Sequence, residues 1–282
     1  MARAERMVNK AIEAHEPFDG HRGSFRVYTK GSYANETNVR LDSDVDVVVE
    51  NHAVYYSDYN QVEDPQTDPS FVPYTGPWTP SVWRSEVEKA LSNYFGNGEV
   101  DTSGEVAITV KEKPGSRPSA DVVPAFEYVR YDDAFRVQRH RGSKVFKKTQ
   151  GSIVNYPKQQ LDNGKIRNRN TGGRYKQFVR ALKNAENALV AEGIGDELPS
   201  YFMECLVYNV PDGVLRSGTS LGEGFRRTLY WLYQHLNDEY VYEDWLEPNE
   251  LKYLFWRGNK WTLSDGQKLV LQTWNYLGYD VE

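Results

Sequence analysis

The sequence predicts an α+β chain in two lobes, a mixed sheet with helices and then a helical C-terminal lobe. Three observations predict it. Before residue 150, strand-like stretches recur at 24–30, 45–49, 104–111, where apolar residues alternate, and 120–128, interrupted by a long helical pattern. Beyond residue 170 the alternation gives way to apolar residues three and four apart, beginning with Tyr175, Phe178, Val179, Leu182 and Leu189. Between the two regimes lies a basic, turn-rich stretch over 131–170, so the lobes are drawn as 1–150 and 151–282. A chain of 282 residues can bury a substantial core in that arrangement.

Taken in order, residues 2–15 have helical composition, with Met7, Ala11 and Ile12 on one face and Pro17 and Gly20 as stops. Residues 24–30 read as a strand, and Val45 to Val49 as the next. Residues 51–80, with Pro65, Pro69, Pro73, Pro77 and Pro80, read as a long loop. Thr79-Pro80 is an N-cap followed by proline at the first helical position, opening a helix over 81–95 with Val82, Val87, Ala90, Leu91 and Tyr94 on a face. A strand follows at 104–111, then an apolar one from Ala120 to Tyr128, with short strands near 143–149. Arg174 to Glu192 is an amphipathic helix, Pro199-Ser200 opens another that ends near Pro211, and 222–236, 247–256 and 264–277 read as helical. Trp231, Trp245, Trp256 and Trp274 are assigned to packing.

Charge and composition narrow the function. With 39% hydrophobic and 26% charged residues the chain has a globular balance. Its net charge of −6 argues against a general nucleic-acid coat, so no strong nucleic-acid binding is expected. Arg130 to Lys183 nevertheless holds 15 Lys or Arg against Asp132, Asp133 and Asp162, a candidate anion-binding surface. The single Cys205 excludes a disulfide framework and a multi-cysteine zinc site, and within Phe-Met-Glu-Cys-Leu-Val it reads as core. No apolar run approaches the ~20 residues of a membrane span, and no secretory hydrophobic region follows the charged start. A cytoplasmic protein without membrane contact is the expectation.

The chemistry concentrates in Gly31 to Glu50. Gly31-Ser32 break the first strand with the small residues that let backbone N–H groups approach a phosphate. Asp42, Asp44 and Asp46 then lead into Val47-Val48-Val49, and residues two apart on a strand share a face, so Asp44 and Asp46 point the same way. Adjacent carboxylates repel, and a divalent cation with hard oxygen ligands, magnesium or manganese, relieves that. A polar turn before an ordinary half-buried strand is the bland alternative. Asp121, entering the apolar run Val122-Val123, is either half of a salt bridge or a third acid of a two-ion site; the pair upstream favours the second. Lys176, Arg180 and Lys183 stripe the helix at 174–192, either as a solvated basic face or as donors to a triphosphate. Such an inventory suits nucleotidyl transfer.

Gly31-Ser32 with Asp44-Val45-Asp46 and Asp121 resembles the DNA polymerase beta-like nucleotidyltransferase superfamily. Val154-Asn155-Tyr156-Pro157-Lys158 with Asn163-Gly164, and Pro199 to Pro211, narrow the resemblance to the bacterial cGAS/DncV-like nucleotidyltransferases (CD-NTases), clade E, the CdnE type. The resemblance covers about residues 20–236. It implies a nucleotidyltransferase core beside a helical lobe with a long N-terminal helix braced across both. It also implies synthesis of a cyclic nucleotide from two nucleoside triphosphates in antiphage CBASS signalling, with a downstream effector reading the product and a monomeric enzyme. Gly31 and Ser32 match the family's triphosphate-binding pair, Asp44, Asp46 and Asp121 its metal acids for two ions, Lys183 the lysine reaching donor phosphates, and Ser200 the serine opening the next helix. Many relatives have Gly-Thr where this chain has Glu36-Thr37. Asn155 matches the Asn of uridine-accepting members, where purine-preferring relatives tend to have Ser. An amide offers a donor and an acceptor to the O4 and N3–H edge of uracil; a turn-forming Asn before Pro157 is the alternative. UTP and ATP, and cyclic UMP-AMP or cyclic di-UMP, follow as substrates and product. A nucleotidyltransferase acting on a tRNA end or an antibiotic, and a non-catalytic nucleotide-binding module, are the competing readings.

Overall fold

The computed structural model describes residues 2–39, 44–58, 74–132, 138–238 and 241–279. Asp42, Pro65, Pro69, Pro73 and Asp133 lie outside the described residues. The chain divides into two compact units, Met1–Tyr33 with Asp42–Pro157, and Ala34–Leu41 with Lys158–Glu282.

The first unit is a mixed sheet with helices on one face. Its elements are α1 (Ala2–Glu13), β1 (Phe25–Thr29), the single turn α2 (Gly31–Ala34), β2 (Val45–Asp58), α3 (Pro80–Phe95), β3 (Val100–Asp101), β4 (Ile108–Val110), β5 (Ala120–Tyr131), β6 (Arg139–Phe146) and β7 (Ser152–Asn155). The strands run β1-β2-β5-β4-β3, with β6 pairing the far end of β5, and β7 pairing β6. Among the described residues only the β2–β5 pair is parallel, and α3 lies in the crossover between them. α1 buries Ala4, Val8, Ala11 and Ile12, one helical stripe, against α3, β1 and β2; Met7 is only partly buried. Val45, Val47 and Val49 enter the same core with Phe18, Trp83 and Ile108. Each contributes roughly 1.5–3 kcal/mol of burial, enough together to hold the intervening Asp46 where its charge resists being held.

Several expectations need correcting here. Residues 51–58 belong to β2 and not to a loop: a register shift between Asn51 and Tyr55 lets the strand continue, with the Asn51 side chain accepting the Ala53 N–H at 2.8 Å. The polar Asn51-His52 pair concealed that continuation. The strand read at 104–111 shrinks to Ile108–Val110, and β5 runs on to Tyr131. In α3 the Thr79 cap is present, its hydroxyl accepting the Val82 N–H at 3.3 Å, but Val82 and Tyr94 are exposed and Trp83 is buried instead.

The second unit is helical: α4 (Pro157–Asn170, of which Pro157 itself closes the first unit), α5 (Arg174–Ala191), α6 (Ser200–Asn209), α7 (Asp212–Leu215), α8 (Leu221–Leu236) and α9 (Leu263–Tyr276). Its core joins Phe178, Leu182, Phe202, Met203, Leu206, Leu229 and Val270, and Cys205 is buried within it as expected. α4 was hidden in the turn-rich basic stretch because it has no apolar stripe. It docks through polar bonds, Asn163 to the Pro248 carbonyl at 2.9 Å and Arg167 to Asp212 at 3.1 Å, and through Gly164, which lies beneath Tyr175. Residues 247–256 form turns instead of a helix: Pro248 brings no N–H, and the Asn249 side chain accepts the N–H groups of Leu251 and Lys252. Trp245 and Trp274 are buried and Trp231 stacks on Trp245, whereas Trp256 is 66% exposed and packs no core. Among the described residues no helix is long and apolar enough to cross a membrane.

Candidate active site

Four strands of the first unit place one row of polar side chains across the sheet. Continuing the β1–β2 register, Lys30 lies opposite Asp46, and its backbone N–H donates to the Asp46 carbonyl at 3.1 Å. Asp46 pairs with Asp121 across the parallel strands, and Asp121 pairs with Thr109 on β4. Paired residues project to one face, so Lys30, Asp46, Asp121 and Thr109 form the row, with about 4.8 Å between neighbouring strands. The Thr109 hydroxyl donates to Asp121 Oδ1 at 2.6 Å. Asp44, exposed, precedes β2 by one residue, on the Asp46 side of the alternation.

Gly31 begins its turn beside this row. Its φ is +71°, and a Cβ at that position would overlap the Asp46 carboxylate, so conformation and space both require glycine. Ser32 follows inside the turn α2 and is half-buried. The backbone therefore comes close to the carboxylate row at the residue where a phosphate would need it.

Electrostatically the row carries excess negative charge. Burial pushes the Asp46 carboxyl up; the Lys30 ammonium opposes this, while Asp121 and Asp44 push it further up. Burial pulls the Lys30 ammonium down against the attraction of Asp46 and Asp121. Lys30 thus faces Asp46 and Asp121, Asp44 adds its charge beside Asp46, and a hard divalent cation is what this oxygen donor set suits. Among the described residues no three His, Cys, Asp or Glu side chains already converge into an ion cage. Lys30 and Thr109 were absent from the sequence reading. The signal for them was available only through strand pairing, which sets Lys30 opposite the second acid.

Asn155 ends β7, half-buried, opposite Ser143, which in turn pairs with Glu127 on β5. Glu127 is six residues along the strand from Asp121, so Asn155 shares the sheet face of the acids. Gly142 permits the close approach of β7: a Cβ there would sit 2.6 Å from the Asn155 carbonyl oxygen.

Lys183 and Ser200 lie in the second unit. Lys183 is buried, and its Nζ donates to the Thr37 carbonyl and hydroxyl, each at 3.2 Å. Lys176 meets the Glu36 carboxylate at 2.8 Å and Arg180 the Glu36 carbonyl at 2.8 Å. The basic stripe of α5 is therefore not an idle face; it holds residues 36 and 37. Elsewhere in the basic stretch, Arg174 donates to the carbonyls of Leu215, Ser217 and Gly218, and Lys144 lies over the rings of Tyr56, Tyr128 and Phe146. Ser200 is the exposed first residue of α6, after Pro199 at the cap.

Residues 162–278 match the model of the cGAS/DncV-like nucleotidyltransferase C-terminal helical domain. The chain is 34% identical over 279 residues, 98% of its own length and 91% of the relative's, to the cyclic dipyrimidine nucleotide synthase CdnE of Cecembia lonarensis. The Rhodothermus marinus CdnE c-UMP-AMP synthase, solved with Apcpp and Upnpp, superposes with a TM-score of 0.82 at 27% identity, over 99% of this chain and 91% of that one. The Elizabethkingia meningoseptica CdnE cyclic dinucleotide synthase, solved with GTP and Apcpp, gives 0.79 at 27% identity, over 98% and 93%. A nucleotidyltransferase sheet bearing paired aspartates, a C-terminal helical domain that matches the family model, and relatives aligned along nearly the whole chain place the protein among the CD-NTases, in clade E.

Proposed function

We propose that this protein is a metal-dependent nucleotidyltransferase that joins two nucleoside triphosphates into a cyclic dinucleotide, releasing pyrophosphate at each of two transfers. The observation that carries the reading is the row of Lys30, Asp46, Asp121 and Thr109 beside the Gly31 turn, in a chain whose relatives bear the names of cyclic nucleotide synthases.

In each transfer a ribose hydroxyl oxygen bonds to the α-phosphorus of the other nucleotide, the bond to pyrophosphate breaks, and the hydroxyl proton leaves to a base. Asp121 is assigned as that base. Thr109 engages its Oδ1, which orients the carboxylate and leaves the second oxygen to accept the proton. Asp44, Asp46 and Asp121 are the residues that would hold magnesium or manganese, two ions. When bound, these supply the positive charge that offsets the triphosphate and the carboxylates. Backbone N–H groups at Gly31 and Ser32 receive phosphate oxygens, and Lys30 keeps part of the carboxylate charge balanced. Lys183 and Ser200 are assigned to the donor phosphates by their match to the family. Within the second unit Lys183 Nζ donates to the Thr37 carbonyl and hydroxyl.

A uridine-containing product, cyclic UMP-AMP or cyclic di-UMP from UTP with or without ATP, rests on Asn155 as reader of the uracil edge. The dipyrimidine and UMP-AMP synthases among the relatives support it. The relative solved with GTP and Apcpp shows the same fold with purine nucleotides, so base choice turns on pocket side chains and not on the fold. The same resemblance assigns the product to antiphage signalling, read by a downstream effector, and the enzyme to the cytoplasm as a monomer. Labelled triphosphates incubated without any acceptor test the reaction. A phosphatase-resistant product is expected; transfer only on adding tRNA or an antibiotic would replace this reading, and binding without turnover would reduce the chain to a nucleotide-binding module.

A further inference from the structure

The second unit contains a buried carboxylate that the reaction does not use. Glu204, on α6, is 3% exposed. Its Oε1 accepts Asn35 Nδ2 at 2.9 Å and Gln160 Nε2 at 3.0 Å, and its Oε2 accepts the Thr37 hydroxyl at 3.2 Å. Thr37, itself 1% exposed, also receives Lys183 Nζ on its hydroxyl and carbonyl. The Thr37 hydroxyl thus sits between an ammonium that donates to it and a carboxylate that accepts from it. Between Asn35 and Thr37 the chain passes through Glu36 at φ +56°, a left-handed conformation that costs a non-glycine residue about 1–3 kcal/mol and persists only where its surroundings over-determine it. Here they do: Lys176 takes the Glu36 carboxylate and Arg180 its carbonyl. Side chains of α5 and α6 therefore close on three consecutive residues, and Glu204 is the acceptor that Asn35, Thr37 and, from α4, Gln160 share.

Those three residues leave the Gly31-Ser32 turn directly along the chain, with Asn35 three residues past Ser32. We propose that Glu204 is a positioning residue for triphosphate binding. With Lys183 it clasps Asn35 and Thr37, while Gln160 completes its own acceptor shell, and so it anchors the residues that leave the phosphate turn without touching nucleotide itself. The inference rests on the nucleotidyltransferase reading, yet its first readout needs no turnover. Replacing the carboxylate by an amide turns an NH2 group toward donors that require an acceptor, and buried donors left without one are costly.

The test is Glu204→Gln in the full chain. Backbone amides of 34–39 should exchange hydrogen about tenfold faster than in the wild type. The Kd of a non-hydrolysable UTP analogue and the KM for UTP should each rise about tenfold, with kcat within about twofold. Should Glu204→Gln fail to fold, Thr37→Val and Thr37→Ser decide: the valine should show the same exchange and KM changes, and the serine, which keeps the hydroxyl, should restore both. Unchanged exchange at 34–39, or faster exchange with unchanged Kd and KM, would overturn the proposal. Wild-type protein that forms no cyclic product, while Glu204→Gln still shifts exchange and Kd, would count against the reaction and for the clasp.

Discussion

The two units each bury carboxylates, and they treat them in opposite ways. Around Glu204, three neutral donors converge on one carboxylate, and an ammonium stands one hydroxyl away. Around Asp46, two further carboxylates crowd a group that burial already disfavours, and the Lys30 ammonium, itself pulled down by burial, answers Asp46 and Asp121. Satisfaction marks the first as architecture; unbalanced charge marks the second as a place prepared for something positive. Burial alone does not separate the two, because both are held by the same kind of apolar packing.

The sharpest way to break this contrast is to neutralise each acid in turn. Asp46→Asn should cut product formation by roughly 10³-fold, the scale on which removing a charge-stabilising group acts. It should nonetheless raise the Tm of the metal-free protein at neutral pH. Burial lifts the folded-state carboxyl of Asp46, so folding favours its protonated form; the associated stability is present at low pH and lost as pH rises from the ordinary carboxylate range through the raised value. Above that window the neutral amide avoids the penalty. Glu204→Gln should do the reverse, lowering Tm by several degrees through about 1–3 kcal/mol of unsatisfied polar groups. Thermal melts of both variants with and without magnesium check the pair, and a stabilising Glu204→Gln or a destabilising Asp46→Asn in the absence of metal would erase the distinction.

Gly31→Ala should come next, weakening triphosphate binding by about 10- to 100-fold, because a methyl group at φ +71° meets the Asp46 carboxylate and costs about 1–3 kcal/mol of strain. Titration with a UTP analogue measures it. Asn155→Ser should shift the ratio of uridine to purine incorporation about tenfold toward purine in competition among the four triphosphates. The same ratio before and after would leave Asn155 a structural end of β7. Thr109→Val should have the smallest effect, a few-fold fall in kcat with KM unchanged, since it removes one hydrogen bond that orients Asp121.

Much of this contrast was legible in the sequence, but only its local part. Gly31-Ser32, the Asp44–Asp46 spacing and Asp121 announce themselves by residue type and period, as do the Thr79-Pro80 cap and the apolar stripe of α5. Lys30, Thr109 and Glu204 do not, because their significance is set by partners 12 to 169 residues away in the chain. α4 escaped for a related reason: its contacts are polar, and hydrophobic periodicity is blind to a helix held by Asn163, Arg167 and Gln160. The aromatic stretch at 247–256 misled in the other direction, since its apolar residues pack from turns fixed by Pro248 and Asn249. The basic stripe and the family pattern both point Lys183 toward a phosphate; only the structure shows its bonds to Thr37.

The central claim is that the acid row of the first unit builds a cyclic dinucleotide containing uridine. Mass spectrometry of the product formed from all four triphosphates with magnesium or manganese, no acceptor present, tests it directly. The predicted result is a phosphatase-resistant cyclic UMP-AMP or cyclic di-UMP from the wild type and nothing from the protein carrying Asp44→Ala and Asp46→Ala. A cyclic product without uridine, no cyclic product at all, or unchanged turnover by the doubly substituted protein would contradict it.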